Sequence, residues 1–135
     1  MRKKKLFKSV PQSEELPRLV ELPDNNVVLA LFDHMKLIPA RHIIEQAESN
    51  GLLDADTKII DTSSGTWAIA LAKVCASRSN EVIIVSDPAI RPPFRRRLED
   101  LGATVIILEK PVAIGGYQRA RLDKMEELKK QYPNH

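Results

Sequence analysis

The chain has 135 residues, enough for one domain with a substantial core. Its 43% hydrophobic and 29% charged content is the balance of a water-soluble globular protein, and 4% aromatics is too sparse for the stacking platforms of single-strand nucleic-acid binders. The net charge of +3 is spread over interleaved Lys/Arg and Asp/Glu, and a lone cysteine excludes an internal disulfide and fits a reducing cytoplasm.

Met1–Lys8 (M-R-K-K-K-L-F-K) is a charge run. It lacks the apolar stretch and cleavage site of a secretory signal. Residues 1–16 read as a basic, mostly disordered tail, and 17–135 as a single α/β domain. No apolar run approaches the roughly 20 residues of a membrane span. Leu19–Leu22 reads as a short strand, Asp24-Asn25-Asn26 as a turn, and Val27–Phe32 as a continuous apolar strand.

Pro39 suits the first turn of a helix, with Ala40, Ile43, Ile44 and Ala47 at helical spacing and Asn50-Gly51 as the stop. Lys36 therefore stands at or just before a helix start. A cation there opposes the macrodipole at a cost of about a few tenths of a kcal/mol, in a setting where lysine can serve as an amine nucleophile. The other reading is a lysine that points into water. His34 is a candidate acid–base group or a solvated loop histidine, and no metal-ligand spacing surrounds it.

The stretch Lys58–Ala72 reads K-I-I-D-T-S-S-G-T-W-A-I-A-L-A. A short apolar strand runs into a hydroxyl-rich turn at Thr62–Gly65. From Thr66 the period is helical, with Ala68, Leu71, Ala72 and Cys75 on one face. Two readings of the turn stand side by side. Ser63 or Ser64 caps the helix, or the open backbone N–H groups at the helix start receive an anion.

Glu81–Asp87 (E-V-I-I-V-S-D) is a second buried strand, and Pro92-Pro93 open a helix carrying Phe94, Leu98 and Leu101, closed by Gly102. Arg91 and Arg95–Arg97 read as its solvated face. Thr104–Leu108 is a third buried strand, Lys110–Gly116 a loop, and Tyr117–Gln131 a final amphipathic helix. Alternating helices and wholly apolar strands call for an α/β fold, a mainly parallel sheet in three αβα layers. Ligands bind such sheets outside the carboxyl ends of the strands, here Asp61–Thr66, Ser86–Ala89 and Glu109–Gly116. Neither a dinucleotide fingerprint nor a P-loop is present.

Lys36 followed by Pro39-Ala40, then I-I-D-T-S-S-G-T-W-A-I-A-L-A, V-I-I-V-S-D-P and L-E-D-L-G-A-T-V-I-I-L-E, fall in the order found in one family. The chain resembles the fold-type II pyridoxal phosphate enzymes (cysteine synthase and tryptophan synthase beta-like), over their N-terminal part and small, Rossmann-like domain. G-G-Y-Q-R-A-R-L at Gly115–Leu122 is similar to branches that include diaminopropionate-forming synthases. The resemblance implies that Lys36 is the lysine that bonds covalently to pyridoxal phosphate. It implies that Ser63, Ser64, Gly65 and Thr66 receive the substrate α-carboxylate. Thr66 stands where the family's asparagine contacts the cofactor ring oxygen, and Ala68, with Trp67 before it, stands in place of the loop's final glycine.

The implied activity is β-replacement on serine-type amino acids, a transferase or lyase of amino-acid biosynthesis. The family's phosphate loop and the hydroxyl that meets the pyridine nitrogen come from a C-terminal half. The chain is thus expected to be an incomplete portion, weakly active or inactive alone. Two other readings are a non-catalytic binding or regulatory module that pairs with itself or a partner polypeptide, and a nucleic-acid binder using the tail and Arg91–Arg97. The 19–32 strands and the last helix are expected to expose apolar surface and favour a homo-oligomer.

Overall fold

The computed structural model describes residues 16–23 and 26–135, so residues 1–15 of the expected tail lie outside the described residues. Arg18–Leu22 (β1) and Val27–Leu31 (β2) pair antiparallel, with Leu19 opposite Ala30 and Glu21 opposite Val28. This hairpin forms a two-stranded sheet of its own. No described element covers it: Leu19 is 70% and Val28 60% exposed. The apolar surface expected from this stretch is present on both faces.

Helix α1 spans Leu37–Ser49 and buries Leu37, Ala40 and Ile44. Its end is set by Asn50-Gly51. Gly51 takes φ +69, a left-handed conformation open to glycine, and Leu52 N–H then closes on the Ala47 carbonyl at 2.9 Å.

The main sheet has the order β3-β4-β5, built from Ile59–Thr62, Val82–Ser86 and Thr104–Ile107, all parallel. Helices α2 (Thr66–Cys75) and α3 (Pro92–Asp100) make the crossovers, and α4 (Gly116–Gln131) follows β5. β4 is central and buried along its whole length. Side chains alternate across it. Val82 and Ile84 pack with α1, α2 and α3, whereas Ile83 and Val85 pack with Leu128 and Met125 of α4. Burial on both faces is why the strand is apolar without alternation, and each such side chain contributes about 1.5–3 kcal/mol. The arrangement is the α/β, three-layer αβα fold expected from the sequence.

Two expectations need correction. α2 is not one-faced: Ala68–Ala72, Val74 and Cys75 are all buried, because the helix is enclosed by the sheet, α1 and α3. The last helix exposes less apolar surface than expected. Ala120 and Leu128 are buried against β3 and β4, and Leu122 stays outside. No helix among the described residues is long and apolar enough to cross a membrane.

Candidate functional site

The site begins where β3 ends. Asp61 is the next-to-last residue of the strand, with a carboxylate oxygen for each of two donors. Its Oδ1 accepts the Thr62 N–H at 2.6 Å, and its Oδ2 accepts the Trp67 indole N–H at 2.7 Å. Thr62 Oγ1 donates to the Val85 carbonyl at 2.9 Å, and Ser63 N–H donates to the same carbonyl at 3.3 Å. Ser63 Oγ accepts the Gly65 N–H at 3.2 Å. Thr62, Ser63 and Gly65 are thus each held by an identified neighbour.

Gly65 is the residue that caps α2, in extended conformation, and no side chain hydrogen-bonds the helix start. The capping role open to Ser63 or Ser64 is therefore not taken up. Ser63 sits two residues too early and spends its hydroxyl inside the loop. The first amides of α2 keep their positive partial charge for whatever lies in front of them.

Lys36 occupies the cap position of α1, also without a side-chain cap. The turn before it is fixed by backbone bonds: Leu37 N–H to the His34 carbonyl at 3.0 Å and Ala40 N–H to the Lys36 carbonyl at 3.2 Å. Leu37 is fully buried, which anchors the exposed Lys36 next to it.

A cleft of about 220 Å³ lies between the two helix starts, lined by Asp33, His34, Met35, Lys36 and Thr66. The structure thus brings Lys36 and Thr66 together. Ser63, Ser64 and Gly65 are half-buried in the loop leading to Thr66 and are not part of that lining. His34 faces the cleft and is half-buried. Asp33 is also tied to Arg18 of β1 at 3.1 Å. Sequence reading did not find the Asp61–Trp67 bond or the lining roles of Asp33 and Met35.

The other strand ends differ in character. At the end of β4, Ser86 is fully buried and its hydroxyl has no hydrogen-bond partner among the described residues. Asp87 is 6% exposed, accepts the Ala89 N–H at 2.9 Å and is ion-paired with Arg121 of α4. After β5, the Tyr117 hydroxyl donates to the Glu109 carbonyl at 3.2 Å. The arginines of α3 are exposed, with Arg95 paired to Glu99 at 2.8 Å and Arg91 over the Phe94 ring at 4.9 Å. They form the solvated face expected of them.

Comparison with known proteins gives a family. The family described as pyridoxal-phosphate dependent enzyme matches residues 35–135. Among solved structures, the chain is similar to a hydrogen sulfide-producing enzyme from Fusobacterium nucleatum, with 29% identity and a TM-score of 0.80 over 98% of this chain and 45% of that one. It is also similar to O-acetyl serine sulfhydrylase isoform 3 from Entamoeba histolytica, with 24% identity and a TM-score of 0.80 over 99% of this chain and 43% of that one. An O-acetylserine dependent cystathionine beta-synthase from Helicobacter pylori matches at 19% identity and a TM-score of 0.78, over 97% of this chain and 46% of that one. The last two likenesses speak for the fold alone. The chain spans less than half the length of each of these enzymes.

Proposed function

The chain belongs to the pyridoxal-phosphate dependent enzymes, with cysteine-synthase-like, fold-type II relatives, and from that premise we propose that it is the small-domain portion of an enzyme for β-replacement on serine-derived amino acids. The observation that carries the reading is the convergence of Lys36 and Thr66 on one cleft, between two helix starts that no side chain caps.

The residues fit one end of pyridoxal phosphate. The cleft offers an amine, a hydroxyl and nearby open amides, and its lining contains no glycine-rich turn to cradle a phosphate. When bound, the cofactor supplies an electron sink for bonds at the substrate α-carbon. In this reading Lys36 holds the cofactor through Nζ, and Thr66 offers its hydroxyl to the ring oxygen. Ser63, Ser64, Gly65 and the first amides of α2 bind the α-carboxylate, where the helix dipole favours negative charge. His34 is placed to exchange a proton at the cleft wall. A phosphate left in water forgoes charge-assisted hydrogen bonds of about 1.5–3 kcal/mol each, so the isolated chain is expected to hold the cofactor weakly.

The test is titration with pyridoxal phosphate, borohydride trapping and peptide mapping. Selective modification of Lys36, lost in Lys36→Ala, is the expected result. Label scattered over surface lysines would overturn the assignment. The bare hairpin favours a second reading, a non-catalytic module that pairs with a like chain or a complementary polypeptide. Association without selective trapping of Lys36 would favour it.

A further inference from the structure

The loop that leads to Thr66 is small, hydroxyl-rich and glycine-containing, a composition with high conformational freedom. Its first half is fastened to β4 through the Val85 carbonyl. Its second half has no side-chain cap on α2 to fasten it. Besides the Gly65 N–H to Ser63 Oγ bond within the loop, a carboxylate spans both halves. Asp61 bonds the amide at the start of the loop and the indole at its end, and the Trp67 ring packs against the main core.

We propose that Asp61 and Trp67 form a latch that fixes the Thr62–Thr66 loop in the shape that presents the first amides of α2 to a carboxylate-bearing ligand. The ligand class, an α-amino acid, rests on the reading of this loop given under the proposed function. The latch itself rests only on the geometry. Asp61 is a positioning residue in this scheme, since both of its oxygens are engaged by the protein. The indole N–H is likewise engaged, so neither side chain of the latch contacts the carboxylate itself.

The two ends can be cut separately. Trp67→Phe keeps an aromatic ring for the core and removes the donor. Asp61→Asn keeps the size but leaves one acceptor oxygen for two N–H donors, so its N–H₂ faces one of them without a bond. Amide hydrogen exchange by NMR reads the result at Ser63 and Gly65, whose native partners are the Val85 carbonyl and Ser63 Oγ. Exchange there is expected to rise about ten-fold in each variant with Val82–Ser86 unchanged. The double variant is expected to go no further than the single ones, as a shared interaction requires. Unchanged exchange at Ser63 and Gly65 would overturn the latch. So would equal loss of protection throughout β4, because the pair would then hold the fold rather than the loop. If Asp61→Asn does not fold, Trp67→Phe decides alone.

A second measurement separates the latch from the site it serves. Where Lys36 is trapped selectively, the L-serine concentration that alters trapping is expected to rise about ten-fold in Trp67→Phe, with the pyridoxal phosphate dependence unmoved. An unchanged L-serine dependence alongside loosened amides would deny the latch its role in recognition. If Lys36 is never trapped selectively, the proposed function fails, and the exchange result still decides the latch.

Discussion

Replacing Arg121 by Met tests how α4 is held against the end of β4. The side chain of Asp87 is 8% exposed and that of Arg121 is 20% exposed. Removing one partner of a buried pair typically costs about 3–5 kcal/mol, because a charge is left without compensation. Two features lower that figure here. Asp87 keeps the Ala89 N–H, and Arg121 Nε is a buried donor without a partner among the described residues, so its removal relieves a desolvation cost. The expected loss is about 2–3 kcal/mol, a drop in Tm on the order of 10 °C for a domain of this size. Urea denaturation followed by circular dichroism measures it, with an unchanged m-value marking a stability effect. The Asp87→Asn/Arg121→Met double variant should lose less than the sum of the singles by at least about 1 kcal/mol. A loss below about 0.5 kcal/mol for Arg121→Met, or simple additivity, would refute the pair as an anchor.

Three further outcomes follow from the structure. Burial pushes the Cys75 thiol up to about 12 from the ordinary 9.0, so it should react with a thiol reagent only when the chain is unfolded. With the native value raised, this contribution is intact below about pH 9 and is lost toward pH 12, at up to about 1.4 kcal/mol per pH unit; Cys75→Ala should remove that slope. Gly115 has φ +93, and a Cβ there would lie 2.5 Å from the Arg119 Cβ, so Gly115→Ala should cost about 1–3 kcal/mol in thermal or urea unfolding. The exposed hairpin should drive concentration-dependent association in sedimentation velocity, and Leu19→Lys with Val28→Glu, on one face of it, should shift the chain toward monomer; a wild-type chain that stays monomeric at all concentrations would refute this.

Much of the fold was legible because the apolar pattern of each segment reports its own surroundings. V-I-I-V in β4 could only be a strand covered on both sides, and Pro39, Asn50-Gly51, Pro92-Pro93 and Gly102 marked helix ends within one or two residues. The enclosure of α2 was visible in principle, since W-A-I-A-L-A-K-V-C leaves little polar face, but the alanines fit a one-sided helix equally well. The nearness of Lys36 to Thr66 was inferred through the family resemblance. No periodicity relates two helix starts thirty residues apart. Pairings such as Asp87–Arg121 depend on how layers stack, and the Asp61–Trp67 bond depends on how a turn closes. Both are invisible to a reading by spacing. The start of α2 carries two readings in the sequence for a related reason: a serine near a helix start caps it only if the backbone puts the hydroxyl at the cap position, and here that position belongs to Gly65.

The cleft owes its character to the meeting of two helix starts. The open amides belong to the start of α2, since at the start of α1 the Leu37 N–H is bonded to the His34 carbonyl and Pro39 has no N–H; the dipole of each helix contributes roughly half a positive charge at that end. Lys36 adds a full one, and the acidic side chain in the lining, Asp33, is drawn toward Arg18 of the hairpin. An anionic ligand is the natural complement to this arrangement, and a carboxylate at Thr66 with an aldehyde-bearing cofactor at Lys36 would answer both ends of it. The same arrangement explains why the hairpin matters to the site although it lies in a separate sheet. Arg18 is where β1 meets the cleft wall, through an exposed ion pair with Asp33.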